Sequence, residues 1–221
     1  MKTIILLENK VSRKDKYNIG FSKHKNLESI FGDEKCNEVL SGFLKDNTLF
    51  DQYDTIFIHS SIFHEDERPV LFRTLKEYCI KNKKTLVKFS GGGDIGSLNN
   101  NTLELTAKSF YENVEIFLYE YEKNTADLLM LGYGKSWDLN ILLNILEKIN
   151  ILIEDNNGEF KEDFDEFEDE FDLPKLKKIF GINIYERILE NVKIDEDEIN
   201  LDQIKTIYNN LKRLIQDKVN V

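Results

Sequence analysis

The chain has 221 residues, 41% of them hydrophobic, which suits one enlarged α/β domain or one domain with a helical appendage. Its net charge of −11 is concentrated: residues 1–153 hold 20 basic and 22 acidic side chains, 154–172 hold 1 and 11, and 173–221 hold 9 and 8. No basic stripe is available to meet phosphates, so nucleic-acid binding is not expected, and the acidic segment points to solvation or to a protein partner with a basic surface.

From the start of the chain, the strand-like TIILL turns at once into ENKVSRKDK, too short and too soon charged for a signal peptide or a membrane span. A cytoplasmic protein without membrane contact is therefore expected. Short apolar runs at 2–7 (KTIILL), 53–60 (YDTIFIHS), 83–90 (KKTLVKFS) and 113–119 (NVEIFLY) read as strands buried on both faces of a parallel sheet, with a further strand at 128–133 (LLMLGY). Between them, 33–46, 67–82 and 101–112 carry apolar residues at helical spacing, and 137–152 reads as a closing helix. The alternation predicts a doubly wound α/β domain with a mainly parallel sheet over 1–152, followed by an acidic segment and helical extension over 153–221. Cys36 and Cys79 lie in no CxxC pair, so they read as reduced, core-side thiols with no disulfide framework and no zinc site.

In the extension, Phe160, Phe164, Phe167 and Phe171 recur at spacings of four, three and four, which would align them on one helical stripe among Asp and Glu. The stripe either packs on the body or meets a partner. Phe160 and Phe171, near the segment ends, are expected to pack, and Phe164 and Phe167 to be exposed for partner binding. Two further helices are predicted at 175–190 and 200–219, the last with an apolar face of Ile204, Ile207, Tyr208, Leu211, Leu214 and Ile215.

In open α/β sheets the site forms outside the carboxyl ends of the strands. That edge should gather Glu8 and Asn9, His59 and Ser60, and Ser90 with Gly91, Gly92, Gly93 and Asp94 as candidate ligand-binding residues. A histidine beside a hydroxyl suggests a base and a nucleophile, yet neighbouring strand residues face opposite ways, so His59 and Ser60 cannot pair while the strand persists; turn capping is the other reading. Three consecutive glycines after a strand allow φ > 0 and close backbone approach, as in a nest for a phosphate or carboxylate, though a plain turn needs the same residues. Two tempting motifs fail. GYGKS (132–136) has Leu129 where a phosphate-binding loop has its first glycine, and DNNGEFKEDFDE, aligned on Gly158, puts Ile153 and Phe164 at calcium-ligand positions. No metal or cofactor is implied.

TIILLENK resembles the first strand of response-regulator receiver domains, YDTIFIHS the strand bearing their phosphoacceptor aspartate, and LVKFSG the strand ending in Ser or Thr. GYGKSWDLNILLNIL resembles their lysine, turn and closing helix, with Lys135 in the lysine's place, and the resemblance covers about residues 1–152. It implies a receiver-like, flavodoxin-like fold. The departures imply more, because Glu8 and Asn9 stand where the family has two acids and His59 where it has the aspartate, removing the magnesium site and the aspartyl phosphate. A degenerate receiver, or a relative of the same fold, is the outcome. Such domains imply a non-catalytic regulatory or adaptor protein in bacterial signalling or defence, acting through protein contacts and a small anionic, phosphorylated ligand at the strand edge. The alternative is a small enzyme acting on a nucleotide or other phosphorylated molecule with Glu8, His59, Ser90 and Asp94.

Overall fold

The structure, a computed structural model, describes residues 3–17, 19–62, 68–92, 101–156, 160–190, 192 and 198–219. The chain forms two compact units, Met1–Lys135 and Ser136–Val221. The helix expected to close the α/β domain thus belongs with the C-terminal helices, and the division falls earlier than residue 152.

The first unit contains β1 (Ile4–Glu8), β2 (Leu27–Phe31), β3 (Thr55–His59), β4 (Thr85–Ser90) and β5 (Thr102–Thr106), all parallel, in the order β2-β1-β3-β4-β5. Its helices are α1 (Val11–Tyr17), α2 (Asp33–Lys45), α3 (Arg68–Lys81), α4 (Ala107–Glu122) and the single turn α5 (Met130–Tyr133). β1 and β3 are buried at every position, as central strands of a covered parallel sheet should be. Alternate residues serve opposite layers. Ile5, Leu7, Ile56 and Ile58 join Cys36 and Leu40 of α2 and Leu75 and Cys79 of α3 in one cluster. Phe57 and Phe89 meet Phe110 of α4, with the Phe89 and Phe110 rings stacked at 3.9 Å. Burial pushes the thiols of Cys36 and Cys79 up to about 11 and about 12.

Three expectations about this unit are corrected. Residues 113–119 are not a strand but part of α4, where Phe110, Val114 and Phe117 recur at helical spacing and supply one buried face. Residues 102–106, expected to lie in a helix, form β5; Leu103 and Leu105 point inward between polar neighbours, and Thr106 ends the strand by capping α4, its side chain accepting from the Ser109 N–H at 3.0 Å. LLMLGY gives only the turn α5, stopped by Gly134 at φ +80°.

The second unit contains α6 (Trp137–Asp155), β6 (Lys161–Asp163), α7 (Phe164–Glu170), α8 (Pro174–Phe180), α9 (Ile182–Leu189), β7 (Glu198–Asn200) and α10 (Leu201–Val219). α6 and α10 pack together, and Lys218 Nζ sits 2.7 Å from Asp138. β6 and β7 form an antiparallel ribbon that the acidic composition hid. Gly181, at φ +80°, divides the helix expected at 175–190 into α8 and α9. The aromatic stripe is also corrected: α7 starts only at Phe164, capped by the Asp163 side chain, and Phe167 is fully buried against Phe171 at 4.6 Å. Phe167 is therefore not on the surface for a partner, while Phe160 and Phe164 are half-buried. No helix among the described residues is long and apolar enough to cross a membrane.

Candidate functional site

With β2 on one side of β1 and β3 on the other, the chain reverses its direction of travel across the sheet at the β1/β3 pair, the place where doubly wound sheets form their clefts. The ladder pairs Leu7 with Ile58, which leaves Glu8 and His59 one step further along, both at the carboxyl edge and both buried. Around them the structure assembles Glu8, Asn9 and His59 with three residues outside the sequence-derived set: Arg13, Ser61 and Tyr111.

Glu8 is completely enclosed, and both of its oxygens are taken. Oε1 accepts from the Lys10 N–H at 2.8 Å and from Arg13 Nη1 at 2.7 Å, and Oε2 accepts from the Tyr111 hydroxyl. Arg13 reaches back from α1, five residues on, and the Tyr17 ring stacks on Tyr111 at 4.7 Å, closing that side. Burial, then the hydrogen bond to Glu8 and its charge, push the Tyr111 phenol far above the usual range.

His59 ends β3, and the chain goes directly into a 3-10 turn over Ser60–Ile62. That turn brings back not Ser60 but Ser61. Its N–H donates to His59 Nδ1 at 3.0 Å, and its hydroxyl lies 2.7 Å from both Nδ1 and Asn9 Oδ1. Asn9 Nδ2 donates to the Ser61 carbonyl at 3.3 Å, which ties the ends of β1 and β3 together. Since Nδ1 accepts, the ring proton sits on Nε2, which is buried, has no hydrogen-bond partner among the described residues and belongs to a ring set edge-on to Phe89. Burial first, then the charges of Arg13 and Lys10, lower His59 to about 3. The imidazole is neutral near pH 7 and too weak a base to draw a proton from serine, and among the described residues no carboxylate orients its second nitrogen.

The other expected residues do not join this cluster. Ser60, half-buried, lies on the same turn, and the Ser90 hydroxyl donates to the Gly92 carbonyl of its own loop at 2.7 Å. Gly91 and Gly92 are exposed, have no positive φ, and a Cβ on either would meet nothing within 4 Å. Neither feature of a glycine-built nest, left-handed backbone or close approach, occurs at these two positions. Gly93 and Asp94 lie outside the described residues. Gly92→Ala is therefore expected to change stability by no more than about 0.5 kcal/mol, as at an unconstrained surface position, which urea unfolding will measure. Lys135 is corrected as a stand-in for the receiver lysine. It lies 3.2 Å from Glu120 near the end of α4, where Tyr121 meets Thr3 at the amino edge of the sheet, opposite Glu8 and His59.

Arg13 was legible only as a helical position one turn beyond Glu8, and Ser61 only if the strand stopped at His59; Tyr111 is 103 residues from Glu8 and left no local signal. Among the described residues, no group of three His, Cys, Asp or Glu is arranged to hold a metal. Compared with protein-family models, curated proteins and solved structures, the chain matches none. Its class rests on the sheet itself: a doubly wound α/β unit of flavodoxin-like strand order with a mostly helical second unit.

Proposed function

We propose that this chain is a non-catalytic regulatory or adaptor protein of a signalling or defence system, whose first unit is a degenerate receiver-like domain acting through protein contacts. One observation carries the reading. At the positions of the receiver acids and acceptor, Glu8 is sealed by Arg13 and Tyr111, and His59 is a buried neutral ring bound to Ser61, which Asn9 holds in turn. Such a network fixes the shape of an edge and engages both oxygens of the Glu8 carboxylate. The enzyme alternative needs a base that titrates near neutrality, and His59 does not supply one.

Incubation with acetyl phosphate and magnesium is expected to leave the intact mass unchanged, and beryllofluoride to leave the amide spectrum of the first unit unchanged. A magnesium-dependent gain of one phosphate on an acidic residue beside His59 would refute the reading.

A further inference from the structure

The second unit has a cleft of about 430 Å³ between α7 and α9, within the size range of ligand clefts, about 300–1,000 Å³. Its apolar floor comes from Phe164 of α7 and from Ile182, Tyr185 and Leu189, which repeat at i, i+3 and i+7 along one face of α9. Ile182 is 59% exposed, so its side chain is open to an incoming group. Its rim carries the carboxylates of Asp165, Glu168, Glu186 and Glu190 against one ammonium, Lys177, which sits 3.7 Å from Glu168 and 4.3 Å from the centroid of the Tyr185 ring.

Two features mark this cleft as unfinished in the free chain. Glu186 in the last turn of α9 and Glu190 at its cap oppose the negative end of that helix, and neither has an ion-pair partner among the described residues. Among the described residues the Tyr185 hydroxyl, in a side chain only 3% exposed, has no hydrogen-bond partner, an arrangement that disfavours the free state. The larger cleft beside α2 and α3 is different, because its Tyr78 hydroxyl donates to Asp51 at 2.6 Å and its lining mixes Lys45 and Lys81 with acids.

We propose that the α7/α9 cleft docks a cationic segment of a partner protein, seating one apolar side chain on Phe164, Ile182 and Leu189 while flanking Lys or Arg residues meet Glu186, Glu190 and Asp165. The occupant follows from charge complementarity: the acidic segment around α7 raises the local concentration of cations, and the apolar floor selects among them. This rests on the reading of the chain as a partner-binding protein, but phosphotransfer at the first unit would overturn that reading and leave this one standing.

The test uses the full chain and dye-labelled hexapeptides of the pattern Lys-Arg-Xaa-Xaa-Lys-Arg, followed by fluorescence anisotropy. Leucine at both Xaa positions is expected to give binding that serine weakens about fivefold, that glutamate in place of the basic residues abolishes, and that added salt weakens. Ile182→Ser and the double variant Glu186→Gln/Glu190→Gln change exposed side chains and should each cost roughly tenfold in affinity while melting like the parent. Equal affinity for the leucine and serine peptides, full affinity in the double glutamine variant, or no binding by any peptide overturns the proposal.

Discussion

Phe167→Ala is expected to destabilise the second unit by about 3–5 kcal/mol, the usual loss for truncating a fully buried phenylalanine. Domain stabilities are about 5–15 kcal/mol, so this change alone should bring the unit near its unfolding threshold at room temperature. The ring rests on Phe171 and is fully enclosed, so truncation removes contacts on every side. Phe164→Ala, in the same helix but half-buried at the cleft, should lose about 1 kcal/mol or less. Urea unfolding of the two variants checks this, and equal losses would mean that α7 does not pack as described.

The contrast also shows where sequence reasoning succeeds. Helical spacing correctly implied that part of the stripe is buried, but spacing alone cannot say which member faces the core. That depends on where the helix starts, and the Asp163 cap starts it at Phe164. In the sheet, TIILL and DTIFIH were legible because continuous apolar runs mean burial on both faces. LESIF was missed because an edge strand keeps Glu28 and Ser29 half-exposed and breaks the run. NVEIFLY was misread because its β-branched and aromatic residues fit a strand by propensity, while packing of Phe110, Val114 and Phe117 on the sheet decided for helix. At the site, the carboxyl-edge rule located Glu8, Asn9 and His59, whereas their partners Tyr111 and Arg13 are set by tertiary geometry.

The second large effect concerns pH. The folded-state value of His59 is lowered from 6.5 to about 3, so between those values the unfolded chain binds a proton that the folded chain excludes. Stability from this group is therefore fully present above pH 6.5 and is lost progressively as pH falls toward 3. Between pH 8 and pH 5 the loss should be about 2 kcal/mol. His59→Asn keeps an acceptor near the Ser61 N–H but cannot titrate, so its unfolding free energy should fall by about 2 kcal/mol less over the same interval. Urea unfolding of both proteins at the two pH values gives the difference directly. Parallel pH profiles would show that the imidazole is hydrated in the folded chain.

Cys36 and Cys79 are the only thiols of the chain, and both sit in the layer beneath α2 and α3, so the second unit carries none. With values near 11 and 12 they hold almost no thiolate while covered, and a thiol-specific reagent can reach them only when that layer opens. The rate of modification is then a clock for opening of the sheet unit alone, running without any label on the acidic second unit. A peptide seated between α7 and α9 should leave that clock unchanged if the two units open independently, and slow it if occupancy of one restrains the other.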